Sequence, residues 1–240
     1  MIVLTVDQRG STYAADRVPE VLAELEELTH GRDGLVVPFE RTVGDEVQGI
    51  LAAGHAGAQL AIDIALHLLR DQGWSIGIGV GSVEGPLPRV SREARGFAFY
   101  RARDAVERAK TRGRVTSIAV EGPAPRANEP DLAAEVEALL RLLAAIRARR
   151  TPQGWEVADT LTTLDDKPGR QRIVAQSLQV SEQAVSQRVR AALWHEEEAV
   201  RPVAVRLLAE LSGAASDGPD AAGRPVKRPS ERRAEGDVAP

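Results

Sequence analysis

Residues 34–51 read GLVVPFERTVGDEVQGIL, two apolar runs set on either side of Gly44-Asp45. Leu35, Val37 and Phe39 give the first run, 34–39, the bias of a strand, and Val47, Ile50 and Leu51 do so for 47–51. A Gly-Asp pair between two such runs marks a hairpin turn. Outward from it the chain is nearly symmetric. Val18, Val21, Leu22, Leu25 and Leu28 recur at helical spacing before the hairpin, and 55–69 forms a long amphipathic pattern after it. Beyond these helices lie two more strands, IVLTV over 2–6 and WSIGIGVGSV over 74–83. The alternation of Ile or Val with Gly in the latter suits a strand with something packed close to its backbone. The order is β-α-β-β-α-β, the split-βαβ or ferredoxin-like arrangement, which predicts an antiparallel sheet with helices on one face. A helix over 96–110 and a strand over 115–120 follow, so the fold class is α+β.

The chain has 240 residues, 43% of them hydrophobic but only 3% aromatic, so its core is built mainly from Leu, Val, Ile and Ala. The absence of cysteine excludes disulfides and thiolate metal sites and fits a reducing cytoplasm. The first residues, MIVLTVDQRG, lack the basic start of a signal peptide, and no window reaches membrane-spanning length. A cytoplasmic protein without membrane contact is expected. The net charge of −4 gives no global attraction to nucleic acid, so any such contact is local.

After the first unit, 1–121, a stretch over 122–131 with Pro123, Pro125 and Pro130 reads as a linker. A helical domain is expected over 132–212. It opens with a strong helix, 132–150, whose stripe of Leu132, Val136, Leu139, Leu140, Leu143 and Ile146 suits docking on the first domain or zipping against a second chain. A helix over 155–164 precedes the segment 170–194, RQRIVAQSLQVSEQAVSQRVRAALW. There Val174 and Leu178 share one helical face, and Val185 and Val189 share another after a break at Gln179-Val180-Ser181. This is the pattern of a helix-turn-helix, with Ser181 as N-cap and small Ala175 permitting close approach. Gln179 stands where glycine is common. With the valines turned inward, Gln183, Gln187 and Arg190 face outward beside Ser186 and Arg188. Glutamine and arginine make paired hydrogen bonds to adenine and guanine edges in the major groove. The candidate DNA-binding residues are therefore Ser181, Gln183, Ser186, Gln187, Arg188 and Arg190; an ordinary helical hairpin with a solvated face has the same periodicity. Trp194 is placed in the helical core. A helix over 196–211 carries Pro202, which bends or restarts it. From 213 to 240 the chain is Gly/Ala/Pro-rich and charged, and is expected to be disordered, with Lys227, Arg228, Arg232 and Arg233 in a solvated tail.

A second candidate site lies on the first unit. Asp7 ends the first strand and Asp45 tips the hairpin, so the topology puts both at one end of the sheet. Two carboxylates there are suited to a divalent cation, which takes oxygen ligands and bridges to phosphate. The loop Gln8-Arg9-Gly10-Ser11-Thr12 precedes a helix, so its N–H groups and Arg9 are suited to a phosphate. His55 and His67 lack a third ligand nearby, and no Ser/His/Asp or Cys/His set is present; no catalytic residue is assigned.

The stretches VDQRGST (6–12), RTVGD (41–45) and SIGIGVG (75–81) resemble the class III nucleotidyl cyclase homology domain over about the first 120 residues. With PFERTVGDEVQG and WSIGIGVG, the whole chain resembles the SatD-like family of bacterial proteins, usually described as DNA-binding regulators. The cyclase resemblance implies that Asp7 and Asp45 match the metal-binding aspartates. It also implies that Arg41 and Glu93 stand at or near the base-selecting positions. The transition-state asparagine and arginine fall near Tyr100 and Asp104, and neither residue suits its role, since a carboxylate opposes the developing phosphate charge. Arg101 and Arg103 lie next to these positions. The resemblance thus implies a cyclase-like domain without cyclase turnover that retains a nucleotide site, with Mg²⁺ as the accompanying ion. The leading expectation is a homodimeric regulator that binds double-stranded DNA and answers to a nucleotide effector. A divergent Mg²⁺- or Mn²⁺-dependent nucleotide cyclase or hydrolase using Asp7 and Asp45 is the alternative, and a protein-interaction module the third reading.

Overall fold

The computed structural model describes residues 1–11, 14–88, 90–111, 116–164 and 168–217. The strand β1 (Ile2–Gln8) is central, antiparallel to both β3 (Glu46–Leu51) and β4 (Trp74–Val80). On the outside, β2 (Leu35–Arg41) pairs antiparallel with β3, and β5 (Ile118–Glu121) parallel with β4. The sheet order is β2-β3-β1-β4-β5. Gly44, at φ 63°, turns the hairpin, and Thr42 N–H donates to the Glu46 carbonyl at 2.9 Å. The first strand runs on past Val6, so Asp7 lies within the ladder, opposite Glu46 on one side and Ser75 on the other. Val115, at the expected start of the last strand, lies outside the described residues.

Side chains alternate along β1 and divide two packing layers. Ile2, Leu4 and Val6 join Ile76, Ile78 and Val80 in the large core, against α1 (Val18–Thr29) and α2 (His55–Leu68). Val3 and Ile50 face the other way and meet Ala98 and Ala102 of α3 (Phe97–Ala109). The two helices of the six-element unit, α1 and α2, thus share one face, and α3, which follows that unit, covers the other. The cause lies in the strand that alternates with glycine. A Cβ on Gly79 would stand 2.1 Å from the Ala102 backbone nitrogen, and one on Gly77 would stand 2.3 Å from the Ala102 carbonyl oxygen. Bare backbone on β4 and the fully buried Ala98, Ala102 and Ala105 on α3 let helix and strand touch main chain to main chain.

The helices α4 (Leu132–Ala148) and α8 (Trp194–Asp217) also belong to the large core, through Val136, Leu140 and Leu143 and through Ala204, Val205, Leu208 and Leu211. Of the two roles open to the stripe on α4, docking on the sheet unit is the one realised. Asp131 caps α4, its carboxylate accepting from Ala134 N at 3.1 Å. Buried Glu137 ties α4 to the sheet, accepting from Val120 N at 3.0 Å and Arg108 Nη2 at 2.7 Å. The helix α8 runs unbroken through Pro202 and on to residue 217, so 213–217 is helical where disorder was expected. Fully buried Ser212 accounts for this, accepting from Gly54 N at 2.9 Å and donating to the Ala209 carbonyl at 2.8 Å, with Ala215 buried a turn later. Residues 218–240, including the basic pairs of the tail, lie outside the described residues.

The remaining helices, α5 (Pro152–Thr162), α6 (Arg170–Ser177) and α7 (Glu182–Ala191), enclose a second core of Val157, Leu161, Val174, Ala175, Val185, Val189 and Trp194. A cationic junction joins the two cores. The Trp155 ring lies 4.0 Å from the Arg70 guanidinium, 4.9 Å from Arg147 and 5.0 Å from Arg150. Buried Glu197 of α8 receives both Arg147, at 2.8 Å, and Arg150. Among the described residues, no helix is long and apolar enough to cross a membrane.

Candidate functional site

The outer face of α7 follows from its local sequence. Val180 N–H donates to the Ala175 carbonyl at 3.0 Å, and Gln179 carries the turn at φ 53° in the left-handed region. This backbone shape favours glycine, and glutamine adopts it here at a modest cost. The Ser181 hydroxyl then accepts from Ala184 N at 3.1 Å, so its oxygen serves as the cap of α7. Val185 and Val189 are buried a turn apart, which fixes the rotation of the helix. Gln183, Gln187 and Arg190 consequently stand exposed, with Ser186 and Arg188 half-buried at the margin. Both arginines have partners: Arg188 Nη1 lies 3.2 Å from Glu156 of α5, and Arg190 Nε donates to the Ser186 carbonyl at 3.3 Å. Arg170 and Arg172 at the start of α6 add positive charge, and the Arg170 guanidinium sits 4.5 Å from the Trp194 ring centre. Trp194 itself is buried in the three-helix core, as expected.

The end of the sheet around Asp7 has a different character. Residues Asp7 and Ser75 of neighbouring strands point to the α3 layer, and Lys110, the C-cap residue of α3, reaches Asp7 there. Lys110 Nζ lies 2.9 Å from the Asp7 carboxylate and 2.9 Å from Glu107. Burial pushes the Asp7 carboxyl above its ordinary value; Lys110 opposes this, while the charges of Asp45 and Glu46 reinforce it. For Lys110, burial pulls the ammonium down, but its hydrogen bonds to Asp7 and Glu107 more than offset this and the net shift is upward. Asp7 and Asp45 thus do share one end of the sheet. The cation that Asp7 holds, however, belongs to the chain. Among the described residues no group of three or more His, Asp or Glu is placed to hold a metal ion, and the positive charge that Asp7 meets is the Lys110 ammonium. Sequence reasoning missed Lys110, because its approach depends on which face of the sheet α3 packs against, and no periodicity in the chain specifies that.

The other residues proposed for a nucleotide are dispersed in their contacts. Gln8 is buried and organises its own loop, donating to the Ala15 carbonyl at 2.7 Å and accepting from Arg17 N at 2.8 Å. Arg9 donates through Nη1 to the Gln72 carbonyl at 3.2 Å and through its main-chain N to Gly73 at 2.9 Å. Gly10 takes φ 72° and its carbonyl accepts from Ala14 N at 3.2 Å; Ser11 is exposed, and Thr12 lies outside the described residues. Arg41 pairs with Asp16, whose carboxyl is held below its ordinary value by that hydrogen bond. Glu93 is exposed on a 3₁₀ turn, Ser91–Glu93, anchored by Ser91 Oγ donating to Glu40 at 3.0 Å. Tyr100 and Asp104 are exposed on α3, and Arg101 is bound to the Val80 carbonyl at 2.8 Å. Counting about 1.5 Å per helical residue, Tyr100 stands roughly 15 Å along the axis from Lys110 in the same chain. His67 meets Glu24 at 3.1 Å on the surface, and His55 is exposed.

The model of the SatD family matches residues 7–197. That span runs from the last two residues of β1 through the three-helix unit to the first turn of α8. No curated protein and no solved structure matches the chain.

Proposed function

The chain belongs to the SatD family, and on that premise and the geometry above we propose that it is a cytoplasmic, DNA-binding transcriptional regulator. In this reading α6 and α7 form a helix-turn-helix whose second helix enters the major groove. The sheet unit is a ferredoxin-like, cyclase-related domain that pairs two copies and carries a nucleotide effector. One observation supports the reading most: α7 buries two valines in a core of its own and leaves a row of exposed amide and guanidinium groups on its outer side. The antiparallel order β2-β3-β1-β4, with α1 and α2 linking the strands, supports the ferredoxin-like assignment. Pairing is argued from recognition: helix-turn-helix dimers bind half-sites about one helical turn apart, and the four arginines of α6 and α7 make a modest patch on their own.

Lys110 on Asp7, together with the outward placement of Tyr100 and Asp104, supports a sheet unit that does not turn over nucleotides. Gel-shift titrations with fragments of the chain's own promoter, with and without ATP, GTP or cyclic nucleotides, test the proposal. Retarded bands that weaken steeply with salt are expected, because phosphate contacts release counterions. A nucleotide that changes the affinity identifies the effector. Metal-dependent product from ATP or GTP that disappears in Asp7→Ala would overturn the non-catalytic assignment.

A further inference from the structure

We infer that α7 specifies adenines rather than guanines, reading two of them separated by one base pair through Gln183 and Gln187. The inference rests on the assignment of α7 as the groove-entering helix and adds the base chemistry that it reads. The two glutamines and two arginines on this helix are unequal. Arg188 is turned toward α5 by Glu156, and Arg190 is folded back on the Ser186 carbonyl of its own helix. Gln183 and Gln187 are exposed, and neither amide has a partner among the described residues. An unpaired carboxamide offers a donor and an acceptor side by side, which matches N7 and N6 of adenine; guanine is read by the fork of an arginine.

Position along the helix points the same way. Base edges are contacted from the N-terminal part of a recognition helix, and Gln183 and Gln187 occupy the first two turns of α7. Arg190, in the last turn, lies where the helix leaves the groove and meets phosphate. Four residues of helix rise about 6 Å, a little under two base-pair steps of about 3.4 Å each. The two amides therefore span a pair of adenines with a single base pair between them.

Selection from a random duplex library with the full-length protein at low salt tests this. The expected site carries, in each half, two adenines flanking one unconstrained pair, and replacing either adenine weakens binding roughly ten-fold. Gln183→Ala and Gln187→Ala each abolish the preference at one of the two positions. Gln187→Glu, which keeps the shape but cannot donate to adenine N7, shifts its position toward cytosine. Arg190→Ala lowers affinity for all duplexes alike and reduces the salt slope by about one. Guanines at the aligned positions, or a base preference unchanged in all three glutamine variants, would overturn the inference while leaving DNA binding intact. A selection that enriches no duplex would instead overturn the regulator assignment, and the inference with it.

Discussion

The sheet end around Asp7 and the outer face of α7 are both polar, but their groups are satisfied in different ways. At the sheet end the chain answers its own charges: Asp7 holds Lys110, Lys110 holds Glu107, Arg41 holds Asp16, and Gln8 bonds the loop beside it. On α7 the exposed glutamine amides have no partner among the described residues, and the helix beneath them is anchored by buried valines and a serine cap. Polar groups satisfied internally hold structure in place, and meeting a ligand would first require them to break those bonds. Exposed groups on a rigid helix meet a ligand at no such cost. This difference, more than charge, favours α7 as the proposed interaction surface. The proposed nucleotide effector would have to compete with internal partners at Arg9 and Arg41, which makes the sheet end the costlier place to bind.

The sheet end is the more sensitive of the two to substitution, and its foundation is the contact between β4 and α3. Gly79→Val puts a side chain where the Cβ alone would stand 2.1 Å from the Ala102 nitrogen and 2.2 Å from the Ala98 carbonyl. Backbone, not a flexible side chain, must then move. A loss of about 3 kcal/mol or more in urea unfolding is expected. A variant that unfolds like the parent would mean that α3 is not seated on β4 as described.

Lys110→Met tests the ion pair that closes that end. Exposed pairs contribute under about 1 kcal/mol and breaking a buried one costs several; this pair is half-buried, so about 1–2 kcal/mol is expected at neutral pH. The pH dependence has a definite sign. The Asp7 carboxyl is already raised above its ordinary value of 3.8 in the folded chain, so its ionised form opposes folding at pH values above its folded pKa. Removing the ammonium raises it further. The deficit of the variant is thus largest where Asp7 is ionised and shrinks as the pH falls through the raised pKa toward 3.8. Denaturation midpoints across an acid series check this, and a deficit that stays constant with pH would exclude Asp7 as the partner that matters.

How far these regions can be read from the sequence differs for a physical reason. The hairpin at Gly44-Asp45, the strand order on either side of it and the three-helix unit rest on short-range signals, and each element appears within a few residues of its expected span. Ser181 as cap and Val185 and Val189 as anchors are local too, so the exposed face of α7 was legible in advance. The tertiary choice of face was not. The alternating glycines announced a close approach to β4, but nothing in their spacing says from which side it comes. That choice hid Lys110. The long reach of α8 was equally hidden: Gly213, Ala214 and Ala215 look like the start of a tail until Ser212 is seen bonded to Gly54, far away in the chain.

On the other side of the comparison the expected costs are smaller. Ser181→Ala removes the oxygen that accepts from Ala184 N, and N-cap losses of this kind cost about 1 kcal/mol. Thermal unfolding that tracks the second core, through Trp155 or Trp194 fluorescence, should register that loss. Restoring the cap with Ser181→Asp should recover stability, since aspartate caps as well as serine. It should also weaken DNA binding, because a carboxylate at this point faces phosphate. A variant that recovered both stability and affinity would remove the N-terminal turn of α7 from the DNA interface.

The smallest effect on stability is expected from the substitution with the largest consequence for recognition. Gln187 is exposed and has no partner in the chain, so Gln187→Ala should leave stability within about 0.5 kcal/mol of the parent. Alanine is also the better helix former, which offsets part of any loss. If the same variant weakens binding to its selected duplex by about 1–3 kcal/mol, stability and recognition separate at one residue, as they do not at Lys110. Matched urea unfolding and binding titrations on the same preparation decide it. A clear loss of stability in Gln187→Ala would mean that α7 uses this side chain for packing, and its outer face would then resemble the sheet end it is contrasted with.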